Sequence, residues 1–395
     1  MNFPIFSSVF ELYHSHPFTI CVHMASLIVS TVYITQLLPE AVVDQRFFVN
    51  LVYSGALLAA NTDHRLVMST ALFINGCVKC VTTKISFVGF VLSLFAQYLS
   101  HVIVRQDPLL VTYMNIDGFL QMYLIHVLFT IPSVLHLFVS RILFPSNEVI
   151  VDKIHEKNDH CTYIQEWVRQ QVDATDQSLT HHWWYDDVPD STQYHVSCLN
   201  AMVLTRIQYI TSMMYNIASI DEMNEIYVSS NRQLTGNSDN VFYSKHIDGP
   251  FYLFPLCSVK RVILAVNKND NITTVFPHQN LRHMLSNGDF ACFDFNRDIH
   301  YIISKNNQPE EPRITLKLHY VVYPRGFYWM AKALKRLNVA YDKRARDLFL
   351  YTRDPQTAAQ KVAARTVNWT TYATYYVEEY VGFYNLLLAG LVYLL

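Results

Sequence analysis

Three residues in the second half of the chain have the types and spacing of a metal site. His246 and Asp248 are two positions apart, and side chains two apart on a β-strand point to the same side. An imidazole and a carboxylate can therefore be presented to one ion. His300, 52 residues beyond Asp248, is the candidate for the third ligand. Two histidines and one carboxylate make up the facial triad of non-haem Fe(II) sites, which leaves positions open for a cosubstrate and O2.

A cationic side chain follows His300 in the sequence. Arg313 lies 13 residues beyond it, and Thr315 is two further on, on the same face of a predicted strand. The planar fork of an arginine binds a carboxylate through two parallel hydrogen bonds, and a hydroxyl beside it suits the same ligand. This pair is therefore suited to hold the far carboxylate of a metal-bound cosubstrate. Lys317 shares the face and is an alternative cation.

The order of these residues resembles that of the Fe(II)/2-oxoglutarate-dependent oxygenases. Those enzymes have a double-stranded β-helix (jelly-roll) core, with an HxD motif, a distal histidine and then a basic residue. This chain has His246-x-Asp248, then His300, then Arg313-x-Thr315, within residues 221–323. An HxD motif alone is a weak signal in a chain with 17 histidines, whereas the ordered set is more specific.

The resemblance implies roles for the residues that carry it. Fe(II) would be bound by His246, Asp248 and His300, and 2-oxoglutarate by the iron together with Arg313 and Thr315. Tyr243, three residues before His246, is similar to a tyrosine that helps to hold the cosubstrate in prolyl 4-hydroxylases. One departure is that prolyl hydroxylases typically use lysine where Arg313 stands here. The implied reaction couples oxidative decarboxylation of 2-oxoglutarate by O2 to hydroxylation of a substrate C–H bond.

The elements around these residues are predicted to be mainly strands. Runs rich in Val, Ile, Tyr and Phe are separated by turn signals such as Asn287-Gly288-Asp289. The runs are residues 225–229, 241–243, 261–266, 290–295, 300–303 and 313–323. Short strands at such spacing predict a sandwich or barrel. Upstream, residues 164–172 and 195–220 have the pattern of helices.

The first third of the chain is poor in charge. Only 12 of the 62 charged residues lie between Met1 and Phe144, six acidic and six basic. Residues 18–38 and 85–104 carry no formal charge, and residues 119–144 carry only Arg141. Each of these segments matches the roughly 20 apolar residues that cross a bilayer core. A further span, either one tilted helix or two short ones, is expected between Phe47 and Val78, so residues 1–145 are predicted to hold about four spans.

Histidines inside the predicted spans suggest a second chemistry. They are His23, His101, His126 and His136. Ionisable groups within a membrane are often functional, and His126 and His136 lie nearly three helical turns apart, on roughly one face. Haem ligation between helices is one interpretation. Neutral histidines that hydrogen-bond neighbouring helices are the interpretation that we favour.

The end of the chain is basic and then apolar. Residues 325–365 contain ten bases and three acids among aromatic and aliphatic residues, which is typical of a helix on a membrane surface. A solvated helix packed on the β core is an equal alternative. Residues 382–395 are apolar but short for a span. The basic tail favours the cytosolic side of the membrane, although sequons at Asn271 and Asn368 would suit a lumenal side.

The sequence therefore predicts an α+β membrane protein of four regions. These are a transmembrane helical region (residues 1–145), a helical connector (146–220), a double-stranded β-helix oxygenase core (221–325) and a basic, apolar-ended, membrane-associated tail (326–395). The leading hypothesis is a membrane-anchored Fe(II)- and 2-oxoglutarate-dependent dioxygenase that hydroxylates a lipid, an apolar compound or a membrane-proximal protein.

Two other functions stay open, and several classes are excluded. The alternatives are a non-catalytic membrane subunit or scaffold that retains the oxygenase fold, and a haem or redox membrane protein. A net charge of −2 gives no reason to expect nucleic acid as a partner. Seven cysteines in 395 residues do not form a disulfide scaffold, and 24 Phe with 26 Tyr exclude a disordered chain.

Overall fold

The fold is described from a computed structural model that covers most of the chain. The described residues are 3–38, 46–79, 84–108, 119–144, 149–154, 159–172, 180–210, 215–229, 238–305 and 313–394. They fall into two units, which we name the helical unit (Met1–Pro145 and Val377–Leu395) and the sheet unit (Ser146–Tyr376).

The helical unit is built from apolar helices. They are α1 (Phe3–Tyr13), α2 (Pro17–Leu37), α3 (Arg46–Ala59), α4 (His64–Lys79), α5 (Phe87–Val104) and α6 (Phe119–Leu137), which continues as a π-helix over Phe138–Leu143. A further apolar helix, which is α11 in chain order, covers Phe383–Leu394. Phenylalanines of α1 pack against α6, with Phe6 and Phe129 ring centroids 5.3 Å apart.

Three helices are long and apolar enough to cross a membrane. Among the described residues these are Pro17–Leu37, Phe87–Val104 and Met122–Leu143. For the further span expected between Phe47 and Val78, the structure has two shorter helices, α3 and α4, which is the second of the two alternatives given from the sequence. The chain turns at Asn61, which has a φ of 59°, and the Asp63 carboxylate accepts the N–H of Arg65 at 2.8 Å. The charged Asp63 therefore caps a new helix where a continuous span would have buried it.

The sheet unit contains two antiparallel sheets. Its described strands are β1 (Ile150–Lys153), β2 (His181–Trp184), β3 (Tyr215–Ser219), β4 (Glu225–Val228), β5 (Ser258–Ala265), β6 (Ile272–Phe276), β7 (Leu281–His283), β8 (Asp289–Asp294), β9 (Tyr301–Ser304) and β10 (Ile314–Pro324). The larger sheet has the order β1-β8-β5-β10-β4-β2, with β3 also paired to β10, and the smaller sheet has the order β7-β6-β9. The α+β class predicted from the sequence is confirmed at this level.

Strand β10 divides its side chains between a core and a polar face. Leu316, Leu318 and Tyr320 join a buried apolar cluster that includes residues of two helices, α7 (Asp159–Gln171) and α8 (Asp190–Ile210). Thr315 and Lys317 alternate with them and line a cavity on the opposite face. Because successive side chains of a strand point to opposite sides, β10 has one apolar face in the core and one polar face that lines the cavity. Two long helices follow β10, α9 (Tyr328–Arg353) and α10 (Ala358–Tyr380).

Two predicted elements differ from the structure. Residues 195–220 are not one helix, because α8 ends at Ile210 and Tyr215–Ser219 forms β3 against residues 320–324 of β10. The predicted helical connector therefore contributes three strands, β1, β2 and β3, to the larger sheet. Residues 241–243 are not a strand either, since they end a 3-10 helix over Ser238–Tyr243.

Candidate metal centre

His246 and His300 lie directly opposite each other on two antiparallel backbone segments. The N–H of His246 donates to the carbonyl of His300 at 3.1 Å, and the N–H of His300 donates to the carbonyl of His246 at 3.0 Å. This is an isolated bridge and not the regular strand that the sequence predicted around His246. Opposed residues place their side chains on one face of the pair. The two imidazole centroids are accordingly 4.3 Å apart.

The turn after His246 brings Asp248 to the same point. The N–H of Gly249 donates to the carbonyl of Phe295 at 2.9 Å, which fixes the backbone next to the carboxylate. Asp248 Oδ1 lies 3.5 Å from His246 Nε2, and Asp248 Oδ2 lies 3.4 Å from His300 Nε2. One ligand atom from each of the three residues lies within 4.8 Å of the other two.

Hydrogen bonds fix which nitrogen of each histidine is free to bind. Nδ1 of His246 is 2.8 Å from the carbonyl of Ser244, and Nδ1 of His300 is 3.1 Å from the carbonyl of Asp298. A carbonyl only accepts, so both Nδ1 atoms carry the proton and both Nε2 atoms keep a lone pair. Such carbonyl contacts typically orient metal-binding histidines.

The three residues fit a divalent metal ion. Among the described residues, His246 Nε2 is buried without a hydrogen-bond partner, so its lone pair is unused. Adjacent ligands on an octahedral ion would be about 3.0 Å apart at metal–ligand distances of about 2.1 Å. The carboxylate-to-imidazole distances of 3.4 and 3.5 Å need only a small contraction to reach that geometry.

Arg261 controls the charge of Asp248. Its Nη1 is 2.7 Å from Asp248 Oδ2, and its Nε donates to His319 Nε2 at 2.8 Å. Burial by itself would raise the pKa of Asp248, but the guanidinium of Arg261 and then His300 hold it well below its usual range. Burial lowers the pKa of His300 to about 4, against the opposing effect of Asp248. At neutral pH the centre therefore presents a carboxylate and a neutral imidazole, the states that bind metal.

A cavity opens on this centre. It is lined by Tyr227, Phe242, His246, Asp248, Arg261, Ile263, His300, Ile302, Arg313, Thr315 and Lys317. The structure therefore brings the predicted ligands and the predicted Arg313-x-Thr315 pair to one space. Thr315 Oγ1 donates to the carbonyl of Tyr227 at 3.3 Å, so its oxygen keeps acceptor capacity toward a ligand.

Arg313 carries an unbalanced positive charge in the cavity. Its Nε and Nη2 are buried without hydrogen-bond partners among the described residues, and none of the described acids forms an ion pair with it. Burial lowers the pKa of Arg313 to about 10, which leaves it a cation at neutral pH. A buried, unpaired guanidinium costs free energy unless a ligand supplies the missing anion.

Lys317, the alternative cation, is already balanced. Its Nζ is 3.3 Å from Glu225 and 3.9 Å from the ring centroid of Tyr227. The same carboxylate contacts Nδ1 of His182. Burial by itself would raise the pKa of Glu225, but Lys317 and then His182 lower it, so the pair is ionised. Arg313 is therefore the better candidate for a ligand carboxylate.

Tyr243, which the sequence singled out, and His319 both lie outside the cavity lining. Tyr243 ends the 3-10 helix whose Phe242 contributes to the lining, and it is half-buried. His319 is fully buried and accepts a hydrogen bond from Arg261, so it positions Arg261. Sequence reasoning missed Arg261, Tyr227 and Phe242. The only available signal for Arg261 was its place in a strand-like run, which does not show that β5 pairs with β10.

Comparison with known proteins gives remote structural likenesses. No family model matches the chain, and no curated protein matches it. A viral collagen prolyl hydroxylase from Paramecium bursaria Chlorella virus-1, in complex with 2OG, has a TM-score of 0.30 at 9% identity, covering 44% of this chain and 96% of its own. A truncated form of that enzyme has a TM-score of 0.28 at 8% identity, with coverages of 45% and 90%.

A bacterial protein is similar at the same level. A Pseudomonas putida prolyl-4-hydroxylase has a TM-score of 0.27 at 10% identity, covering 45% of this chain and 92% of its own. Likenesses of this size carry no weight for the activity of the chain. The inference of function rests on the geometry of its own residues.

Proposed function

We propose that this chain is a membrane-anchored Fe(II)- and 2-oxoglutarate-dependent hydroxylase. The observation that carries the proposal is the convergence of His246, Asp248 and His300 in a cavity that also holds Arg313, two of whose nitrogens have no partner among the described residues. Two imidazoles and one carboxylate suit Fe(II) and leave sites open for a cosubstrate and O2. A buried cation in the same cavity suits the far carboxylate of 2-oxoglutarate.

Each residue of the site has a defined task. Bound iron would supply, with 2-oxoglutarate and O2, the oxidising power that hydroxylates a C–H bond. Arg313 and Thr315 hold and orient the cosubstrate carboxylate. Arg261 keeps Asp248 ionised and restrains one of its oxygens. Phe242, Ile263 and Ile302 form an apolar wall that excludes water from the reacting groups.

The proposal includes the fold and the setting of the site. The two antiparallel sheets are assigned to a double-stranded β-helix, with residues 221–325 as its core and residues 146–220 adding edge strands and two helices. Residues 1–145 are assigned as the membrane anchor, with the three long apolar helices as spans. Residues 326–395 form the membrane-associated tail. The basic character of that tail supports a cytosolic side for the sheet unit.

The substrate class follows from the chain's composition. A single-span anchor would be enough to hold an enzyme at a membrane, and the described part of the chain has three candidate spans. We therefore assign a lipid, an apolar compound or a membrane-proximal protein side chain as the substrate. O2 and 2-oxoglutarate are the small-molecule partners, and nucleic acid is not one.

Turnover of 2-oxoglutarate tests the proposal without knowledge of the substrate. The full-length protein is purified in detergent, supplied with Fe(II), ascorbate, 2-oxoglutarate and O2, and succinate is measured. We expect slow succinate formation uncoupled from hydroxylation, which His246→Ala abolishes. His278→Ala is the matched control, because His278 is an exposed histidine of the same unit outside the cavity.

Two results would contradict the proposal. Succinate formation that is equal in the wild type and in His246→Ala would show that another site, or a contaminant, turns over 2-oxoglutarate. A wild-type protein that binds Fe(II) at the centre but forms no succinate would support a non-catalytic scaffold that keeps the fold.

A further inference from the structure

Three histidines of the helical unit form a second cluster that the proposed hydroxylase site does not use. His14 follows the end of α1, His23 lies in α2, and His101 lies in the last turn of α5. Their exposed fractions are 2%, 9% and 3%. The ring centroid of His14 is 4.5 Å from that of His23 and 4.9 Å from that of His101, and those two are 5.1 Å apart.

The nitrogens of the cluster face one another. One ring nitrogen from each histidine lies within 4.8 Å of the other two. Nδ1 of His14 is 2.7 Å from the carbonyl of Phe10 and so carries its proton, which leaves the Nε2 lone pair of His14 free. Nε2 of His23 and Nε2 of His101 are 3.1 Å apart.

Hydrogen bonding among the rings does not satisfy the cluster. A single proton between Nε2 of His23 and Nε2 of His101 serves only two of the three rings. A positive ion would use a lone pair of every ring at once.

The distances distinguish the kinds of metal site. Two imidazole nitrogens on a four-coordinate ion, at bond lengths of about 2.0–2.1 Å, are about 3.3 Å apart. Axial histidines on opposite sides of a haem would be about 4 Å apart, with the porphyrin between them. The observed 3.1 Å agrees with the first geometry and leaves no space for a porphyrin.

We propose that His14, His23 and His101 bind one divalent transition-metal ion, with a fourth coordination position open. Imidazole ligands without carboxylate or thiolate suit Zn²⁺ and its neighbours in the first transition row. Such an ion links the end of α1 to α2 and α5, and so ties three helices of the unit together. It also replaces the haem pair considered at His126 and His136. His126 packs against the rings of Phe6 and Phe10, outside the three-histidine cluster.

The test isolates this site from the iron centre. Full-length protein carrying Asp248→Ala and His300→Ala is stripped with a chelator in detergent and titrated with Co²⁺, a spectroscopic substitute for Zn²⁺. We expect about one equivalent to bind, with the intense visible absorption of four-coordinate Co²⁺. His23→Gln and His101→Gln each keep a hydrogen-bonding group. Each should weaken Co²⁺ binding by more than the roughly 10- to 100-fold lost when a residue that hydrogen-bonds a metal ligand is changed. His136→Gln, an exposed histidine of α6, is the matched control.

Each outcome bears on the proposal. No Co²⁺ binding to the Asp248→Ala/His300→Ala protein, or equal binding after His23→Gln, would overturn it and leave neutral hydrogen-bonded histidines. If the glutamine variants do not fold, X-ray absorption of Co²⁺ in the parent protein decides, since fewer than three imidazole ligands would contradict the assignment. The outcome is independent of 2-oxoglutarate turnover, because the parent protein already lacks two residues of the iron centre.

Discussion

Two cations line the cavity, Arg313 just before β10 and Lys317 within it, and their surroundings separate their roles. Lys317 is paired with Glu225, whereas Arg313 has two buried nitrogens without partners among the described residues. The sequence alone allowed either residue to bind the cosubstrate. The identity of the charge partner, which belongs to β4, could not be predicted from spacing within β10.

Removal of the Arg313 guanidinium should weaken cosubstrate binding. Hydrogen bonds to charged groups contribute about 1.5–3 kcal/mol, so Arg313→Ala is expected to raise the KM for 2-oxoglutarate roughly 10- to 100-fold. The kcat for succinate formation at saturating cosubstrate should change much less. Arg282→Ala, an exposed arginine on β7, is the control and should leave both constants unaltered. A normal KM in Arg313→Ala would exclude Arg313 as the carboxylate ligand.

Substitution of Lys317 should lower the free energy of unfolding. Lys317→Met removes the ion-pair partner of the buried Glu225, and breaking a buried ion pair costs about 3–5 kcal/mol. Urea unfolding followed by circular dichroism should show this loss in the free energy of unfolding. The double variant Lys317→Met/Glu225→Gln should recover most of it. Equal stability of the single and double variants would contradict the assigned pairing.

The Lys317–Glu225 pair also predicts a dependence of stability on pH. The folded-state pKa of Glu225 is below its ordinary value because Lys317 and His182 outweigh the effect of burial. Its stabilisation is therefore complete above the unfolded-state pKa of about 4.3 and is lost as the pH falls below that value. The slope of unfolding free energy against pH in this range should be shallower for Lys317→Met/Glu225→Gln than for the wild type.

At the scale of elements, a glycine determines where the Asp248 carboxylate stands. A Cβ added at Gly249 would overlap Asn296 Oδ1 and lie 2.6 Å from a ring carbon of Phe295. Asn296 is held in place because its Oδ1 accepts the N–H of Phe251 at 3.1 Å. Close packing by the segment after β8 therefore sets the turn that presents Asp248.

Gly249→Ala should disrupt metal binding without altering a ligand. The overlap must displace the turn, and we expect at least a 10-fold loss of Mn²⁺ affinity, of the size seen when outer partners of metal ligands are changed. Isothermal titration calorimetry with Mn²⁺ in the presence of 2-oxoglutarate measures this affinity. Gly55→Ala is the control, since nothing lies within 4 Å of a Cβ at Gly55. Unchanged affinity in Gly249→Ala would show that the turn is not constrained in this way.

Strands were predictable where the sequence contains a long run of residues that favour β-structure. The runs at 261–266, 290–295 and 313–323 correspond to β5, β8 and β10, each a central strand of the larger sheet. Short or partly polar strands such as β1 and β2 were missed, because four residues carry too little periodicity. The 3-10 helix at 238–243 was assigned to a strand because three apolar residues in a row fit either structure.

At the scale of the whole molecule, the deficit of charge coincides with one structural unit. The 12 charges of residues 1–144 fall in the helical unit, and apolar side chains such as Phe87, Leu92 and Phe95 are more than half exposed there. Composition predicts that the first third differs from the rest of the chain. It was not enough to count helices, because the break at Asn61 depends on local capping by Asp63.

The helical unit should hold the chain in a membrane. Apolar helices of this length are stable in a bilayer core and costly to expose to water. We expect the full-length protein to stay in the membrane pellet after washes with alkaline carbonate and concentrated salt, and to be released by detergent. Release by carbonate alone would contradict the anchor and favour a soluble core of buried helices.

The most direct test of the account is a structure of the full-length protein crystallised without O2, with Fe(II) and 2-oxoglutarate. Anomalous scattering at the iron edge locates the ion. The account predicts iron within about 2.0–2.3 Å of His246, Asp248 and His300, with the far carboxylate of 2-oxoglutarate on Arg313. Iron at another place, or 2-oxoglutarate bound away from Arg313, would contradict it.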